Sequence, residues 1–352
     1  MNQQNEPRSQ PGSSPIGIGK GLSVAVIGAG LSGLTCARAL AAGGLEVRVF
    51  DKARGAGGRM ATRRAGDLRF DHGAQYFTVR DDGFARTVDS WCRQGIVAPW
   101  TGKIVVVDKS IVSRENTRIP RFVGVPGMNA VCRHLARDLD VSYGTRIEIL
   151  NREGDGWVLT DEDGIELGPF DAVVVSAPAP QAGVLLRTCS PDLAARAASV
   201  EMAPCWAVMM TFPESLNLGF DGAFVNDSAI TWAARDASKP ERPDHESWVI
   251  HASSKWSTAH LEMEPDSAAE TLVREFRAAL SLESVDPKHL TAHRWRFALP
   301  LEPLPETSLF DASLRLAACG DWCGGPRVEG AFLSGLAAAD GILGRTGSGE
   351  VR

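Results

Sequence analysis

Val24-Ala-Val-Ile-Gly-Ala-Gly-Leu-Ser-Gly33 is the stretch on which the fold of this chain turns. A short β-branched run meets three glycines at G-x-G-x-x-G spacing, and an Ala/Leu-rich stretch, a second strand pattern and Asp51 follow. Each part has a physical task in holding a dinucleotide. Gly28 permits the tight turn from strand into helix, Gly30 lets backbone approach a pyrophosphate, and Gly33 lets the helix pack closely on the strand. The pyrophosphate would rest on the amides and positive end of the helix opening at Leu31 and Ser32. Asp51, with Lys52 beside it, stands about 20 residues past the first glycine, the spacing that brings a carboxylate to an adenosine ribose hydroxyl.

The bulk numbers narrow the setting. At 352 residues the chain suits two domains or one large one, and 44% hydrophobic with 23% charged residues is an ordinary globular balance. A net charge of −6 argues against nucleic acid or an anionic membrane as the main partner. No apolar run reaches the length of a membrane span, and the first twenty residues carry no hydrophobic signal core. Residues 1–20 read as a disordered polar tail. Seven cysteines lie scattered without C-x-x-C pairs, which suggests neither a disulfide framework nor a metal site. The expected location is the cytoplasm, and the oligomeric state stays open.

The order strand (22–27), helix (31–42), strand (45–50) makes one βαβ unit. A helix is expected from Asp82 to Gln94, a strand at Ile104–Val107, and a helix opening near Val125 with Met128, Val131, Leu135 and Leu139 on one face. Asp171-Ala-Val-Val-Val-Ser176 reads as a strand buried on both sides of a parallel sheet. From about 200 to 298, tryptophan-bearing strand patterns surround one helix at 266–281, as in an antiparallel sheet. After Pro300–Pro305 the glycine-rich style returns, with a small-residue helix from about Gly330. The fold expected is α/β: a Rossmann-type domain from 21–80, 121–199 and 300–352, and an antiparallel-sheet α+β substrate domain from 81–120 and 200–299.

Two further constellations decide which dinucleotide is held. Gly55-Ala-Gly57-Gly58-Arg59 follows Asp51, and a buried FAD pyrophosphate has use for close-approach glycines and a bidentate arginine. Gly320-Asp321, at the far end of the chain, precedes Val328-Glu329-Gly330-Ala331 and a helix. There an acid can accept bonds from ribityl hydroxyls, and the helix can set its positive end at the flavin pyrimidine edge. Both ends together favour FAD over NAD.

On these residues, on Gly73-Ala-Gln-Tyr-Phe-Thr78, on Ser254-Lys-Trp-Ser257 with His260, and on Gly320-Asp-Trp-Cys323, the chain resembles the flavin-containing amine oxidase superfamily. More narrowly it resembles bacterial renalase-like proteins, over nearly the whole chain after residue 21. The resemblance implies a sheet roofing the flavin, hydride transfer to flavin N5, and reoxidation by O₂ to H₂O₂. It implies as substrates the isomeric 2- or 6-dihydro forms of NAD(P), returned to NAD(P)⁺. It places Gly73, Ala74 and Gln75 beside the isoalloxazine and Val328, Glu329 and Gly330 at its pyrimidine edge.

Hydride abstraction from a dihydropyridine yields an aromatic cation and needs no strong base, so the protein supplies placement and electrostatics. Candidates for the substrate side are Tyr76, His251, Trp256 and His293, with Trp232 and Trp295 near them. His251 alternates with Val249 on a strand, a pattern that also fits a satisfied core histidine. Cys323 lies near the flavin end of the second motif, yet FAD is expected to be non-covalent. An amine oxidase, an FAD desaturase and a non-catalytic flavoprotein remain the alternatives.

Overall fold

The expected βαβ opening is present in the computed structural model, which describes residues 21–114, 119–282 and 285–345. The polar tail expected over residues 1–20 lies outside the described residues. The strand Ser23–Ile27 is buried because its β-branched run has a strand on either side. Val26 lies level with Val49 on one neighbour and Val174 on the other, both parallel. The six-stranded sheet runs Leu309–Asp311, Leu316–Ala318, Ala172–Val175, Ser23–Ile27, Glu46–Asp51, Asp140–Tyr143. Only its first pairing is antiparallel. In such sheets ligands bind beyond the carboxyl ends of the central strands, where Gly28 and Asp51 stand.

The helix Leu31–Ala42 covers one face of this sheet together with the last helix, Arg327–Leu343. Leu34, Ala37 and Leu40 pack there with Phe332, Ala338 and Ile342. A side chain on Gly335 would be driven into the Ser32 carbonyl, so small residues set how closely the helices approach. The opposite face carries the helices Ala179–Leu186 and Pro191–Ala198 and a small antiparallel sheet containing Trp157. No described helix is long and apolar enough to cross a membrane.

The second sheet has seven strands in the order His289–Pro300, Met202–Phe212, Glu246–Ala252, Ile230–Arg235, Gly222–Val225, Ile104–Asp108, Ile111–Arg114. Alternation gives it two unlike faces. Trp206, Trp248 and Ile250 pack under the helix Pro265–Leu280, against Leu272 and Phe276. The other face looks toward the parallel-sheet domain and meets the hairpin Thr62–Ala65/Leu68–Asp71, where Phe70 touches Met209 and Val249.

Two expectations need correction. Residues 81–120 do not all join the second sheet: Phe84 and Trp91 of the helix Asp82–Arg93 stack around Phe332 of the last helix, at 4.9 and 6.0 Å. Val97–Pro99 pairs with Phe122–Gly124, so among the described residues of this stretch only Ile104–Asp108 and Ile111–Arg114 enter the sheet. The helix expected from Val125 begins at Ala130 and ends at Leu135. Its would-be first turn is diverted, because the Met128 amide donates to Asp71 Oδ1 at 2.9 Å.

Candidate active site

The three glycines of the opening motif do different work. Side chains on Gly28 or Gly33 would be forced into the Ser176 and Gly28 carbonyls, and Gly28 has φ +117°, so both are required by packing and backbone. A Cβ on Gly30 would meet nothing within 4 Å. Gly30 is therefore open toward a groove, and the helix beginning at Leu31 has no side-chain cap on its first amides. Ser32 is buried in its first turn. Asp51 braces the groove: Oδ2 accepts from the Ala29 amide at 2.5 Å and Oδ1 from the Ala53 amide at 2.7 Å. Lys52 is exposed and reaches Gln181 Oε1 at 3.3 Å. The second glycine loop lies against the first, with the Gly57 amide on the Ala29 carbonyl at 3.0 Å and Gly58 close to the Gly30 Cα.

Arg59 joins the two distant motifs. Its guanidinium forks onto Asp321 with two bonds of 2.8 Å and also donates to the Ala298 carbonyl at 3.2 Å. Burial raises the Asp321 carboxyl above its usual range, while Arg59 pulls it back toward the charged form. The arginine expected at the pyrophosphate is thus bonded to the acid expected at the ribityl chain. The Gly320 amide donates to Ser334 Oγ at 2.9 Å. The Arg59 carbonyl accepts from the Ala74 amide at 2.8 Å and leaves no room for a side chain on Gly73. Glu329, expected at the pyrimidine edge, uses its carboxylate otherwise: Oε2 accepts from the Arg80 and Asp81 amides at 2.6 and 3.0 Å. Val328 is buried, Gly330 abuts the Gly325 carbonyl, and Ala331 is half-buried in the first turn of a helix without a side-chain cap.

Beside Gly73 the second sheet presents imidazoles and indoles. The His72 ring lies 4.8 Å from His293 and 5.0 Å from Trp295, and those two are 4.4 Å apart. The His72 carbonyl accepts from Trp295 Nε1 at 2.9 Å and faces His251 Nε2 at 3.3 Å. Burial holds all three histidines neutral. His72 is lowered to about 3, helped by His293 and Arg63; His251 and His293 are lowered to about 4. Tyr76 sits in an adjoining cluster, 5.4 Å from Trp232 and 6.0 Å from Trp100, with Arg121 over its ring at 5.1 Å. Trp256 does not join them. It stacks on His260 at 4.2 Å and packs on the face under Pro265–Leu280, so the sheet separates it from Gly73. The reason is local: Ser253 caps a new helix at Ser254, which turns Trp256 back over the covered face.

Two family models match the sequence: an NAD(P)-binding Rossmann-like domain over residues 26–90, and the flavin-containing amine oxidoreductase over residues 107–343. The chain belongs to the flavin-containing amine oxidoreductase family. Among solved structures, a protein of Exiguobacterium sp. 255-15 assigned as a protoporphyrinogen oxidase superposes with TM-score 0.74 at 13% identity, over 92% of this chain and 98% of that one. An oxidoreductase from Methanosarcina mazei gives 0.69 at 14%, over 91% and 100%. Putrescine oxidase bound to putrescine gives 0.68 at 13%, over 92% and 99%. At these identities the likeness speaks for the fold.

As a member of this family the chain is a flavin-dependent oxidoreductase, and its residues fit such a cofactor. An open Gly30, two helices with uncapped first turns and a forked Arg59–Asp321 pair at the groove are the features a flavin dinucleotide uses. Sequence reasoning missed a buried charge network directly behind Gln75. Asp71 Oδ2 accepts from Arg242 at 2.6 Å and Lys239 at 3.4 Å, and Lys239 also reaches Asp236 at 2.6 Å and Gln75 Oε1 at 3.1 Å. Gln75 Nε2 closes the loop on the Asp71 carbonyl. Burial works against both carboxylates, but Lys239, Arg242 and the Met128 amide hold Asp71 below its usual range, while Asp236 is raised. The Gln75 side chain is thus spent on the network.

Proposed function

We propose that this protein is a renalase-like oxidase of isomeric dihydro-NAD(P), working on non-covalent FAD and returning NAD(P)⁺. When bound, the flavin would take the hydride and pass two electrons to O₂, giving H₂O₂. The observation that carries the reading is the make-up of the face beside Gly73. The side chains that Glu246–Ala252 and His289–Pro300 turn toward it include Val249, His251, His289, His293 and Trp295, with no carboxylate among them. The nearby Asp71 and Asp321 are already bound to arginine or lysine. Flat rings and neutral imidazoles suit a dihydropyridine, whereas an ammonium substrate calls for a facing anion.

The chain's own groups have distinct parts in this reading. Arg59 draws Asp321 toward its charged form where ribityl hydroxyls would approach, and Asp51 keeps the Ala29 turn in place. Gly73 and Ala74, pinned by the Arg59 carbonyl, let a ring system lie close to backbone. His251, His293 and Tyr76 shape the substrate side, and hydride transfer from a dihydropyridine asks no proton transfer of them. Cys323 is buried behind the parallel sheet and burial pushes its thiol up, which supports a dissociable cofactor.

The test is anaerobic flavin reduction by the purified yellow protein. Rapid bleaching by 6-dihydro- or 2-dihydro-NAD(P), with no response to simple amines, is expected. Bleaching by amines alone would establish an amine oxidase, the reading the family name favours. No bleaching by either class would leave a non-catalytic flavoprotein.

A further inference from the structure

Arg63 is an exposed cation without an ion pair in the described structure, on the hairpin that meets the second sheet. Antiparallel pairing sets it opposite Phe70, and residues directly opposed share a face. Phe70 stacks on His289 at 5.5 Å and 14°, and His72, two residues on, meets His293 at 4.8 Å. The face that Arg63 shares is therefore the one turned to His289 and His293. Two imidazole nitrogens there have no partner: His289 Nε2 and, on a side chain only 6% exposed, His72 Nδ1. The field of Arg63 reaches all three rings, holding His72, His289 and His293 further toward neutrality after burial has done most of the work. An unpaired guanidinium beside unpartnered imidazole nitrogens is the donor set of an anion site.

We propose that Arg63 and His289 form an anion subsite at the rim of the candidate active site, with His72 on the side of it toward Trp295, and that it takes a phosphate of the substrate. The identity of that substrate rests on the reading above; the subsite does not. His289 and His293 are four residues apart on one strand, about 13 Å, and His72 stands at the His293 end, 5.0 Å from Trp295, so a phosphate held by Arg63 and His289 leaves room for a ring beside His72 and Trp295. The guanidinium supplies the charge, and the two nitrogens, as neutral imidazoles, each offer one donor or one acceptor according to tautomer.

The holoenzyme, Arg63→Ala and Arg63→Lys are compared with a dihydronicotinamide isomer as riboside, mononucleotide, dinucleotide and 2′-phosphorylated dinucleotide. In Arg63→Ala the ratio of kcat/KM for phosphorylated substrate to that for riboside should fall about tenfold, through KM, with Arg63→Lys recovering part of it. A fall first seen with the mononucleotide points to the 5′-phosphate, and one confined to the 2′-phosphorylated form to that group. An unchanged ratio overturns the proposal. Inorganic pyrophosphate, followed by the tryptophan fluorescence of the holoenzyme, separates the two ideas. If no dihydronicotinamide is oxidised but pyrophosphate binds the wild type and not Arg63→Ala, the subsite stands and the substrate reading falls. Failure of pyrophosphate to bind the wild type at millimolar concentration overturns the subsite.

Discussion

Gly30 and Gly33 are three positions apart and fail in opposite ways. A methyl on Gly33 drives into the Gly28 carbonyl, so Gly33→Ala should lower the melting temperature of the apoprotein. A methyl on Gly30 meets nothing within 4 Å, so the apoprotein should melt within about 0.5 kcal/mol of wild type. The same methyl stands where a pyrophosphate would come, so Gly30→Ala should bind FAD at least about tenfold more weakly, measured by flavin fluorescence on titration. Arg59→Ala should come off the column colourless and lose about 2 kcal/mol, because Asp321 is then buried without its half-exposed partner. Asp321→Asn, which leaves no orphan charge, should lose less stability; equal losses would mean the pair is not what matters. The packing roles of Gly28 and Gly33 were legible in the sequence because each is required locally, by a turn or by close helix–strand approach. The double use of Arg59 was not, since its partner lies 262 residues away.

The hairpin and the short loop at residues 236–242 meet through charges that no pattern announces. Lys239 and Asp71 are 168 residues apart and neither is exposed, whereas a lysine in a polar loop reads as surface. Lys239→Met should remove about 3–5 kcal/mol in urea unfolding, because two buried carboxylates are left to share Arg242 alone. If the loss is under about 1 kcal/mol, the network contributes orientation only. Flavin absorbance in the same variant reports whether Gln75, released from Lys239 Nζ, still holds its segment. Strand periodicity did locate the second sheet, and His251 lies on the same face as Val249, against the His72 carbonyl. Trp256, a candidate for the substrate side, lies beyond that strand on a helix capped by Ser253 and packs on the covered face. The helix at 82–94 was legible but its placement was not, because an amphipathic helix does not declare which core receives it.

Three imidazoles held neutral inside one molecule tie its stability to acidity. Unfolded, they take protons near pH 6.5; folded, His251 and His293 resist to about 4 and His72 to about 3. The unfolded chain therefore binds more protons below pH 6.5, and stability should fall as pH is lowered from there toward 4. At about 1.4 kcal/mol per unit, His251 alone accounts for about 3 kcal/mol across that window. Melting temperatures of the holoprotein from pH 7 to pH 4.5 should decline, and His251→Phe should flatten the decline; an unchanged slope would place the cause elsewhere. The α/β plan was readable from the first βαβ unit, the buried 171–176 run and the return of glycine-rich sequence near the end, since each is a repeat of one local physics. One consequence of that return concerns biosynthesis. The helix after Gly30 shows its apolar side to water until Arg327–Leu343 arrives to cover it. A ribosome makes that covering helix long after the helix it covers, so a nascent chain that carries only the glycine motif has no finished groove to offer. Flavin capture then waits for a segment distant in sequence, although the motif that announces it is made early.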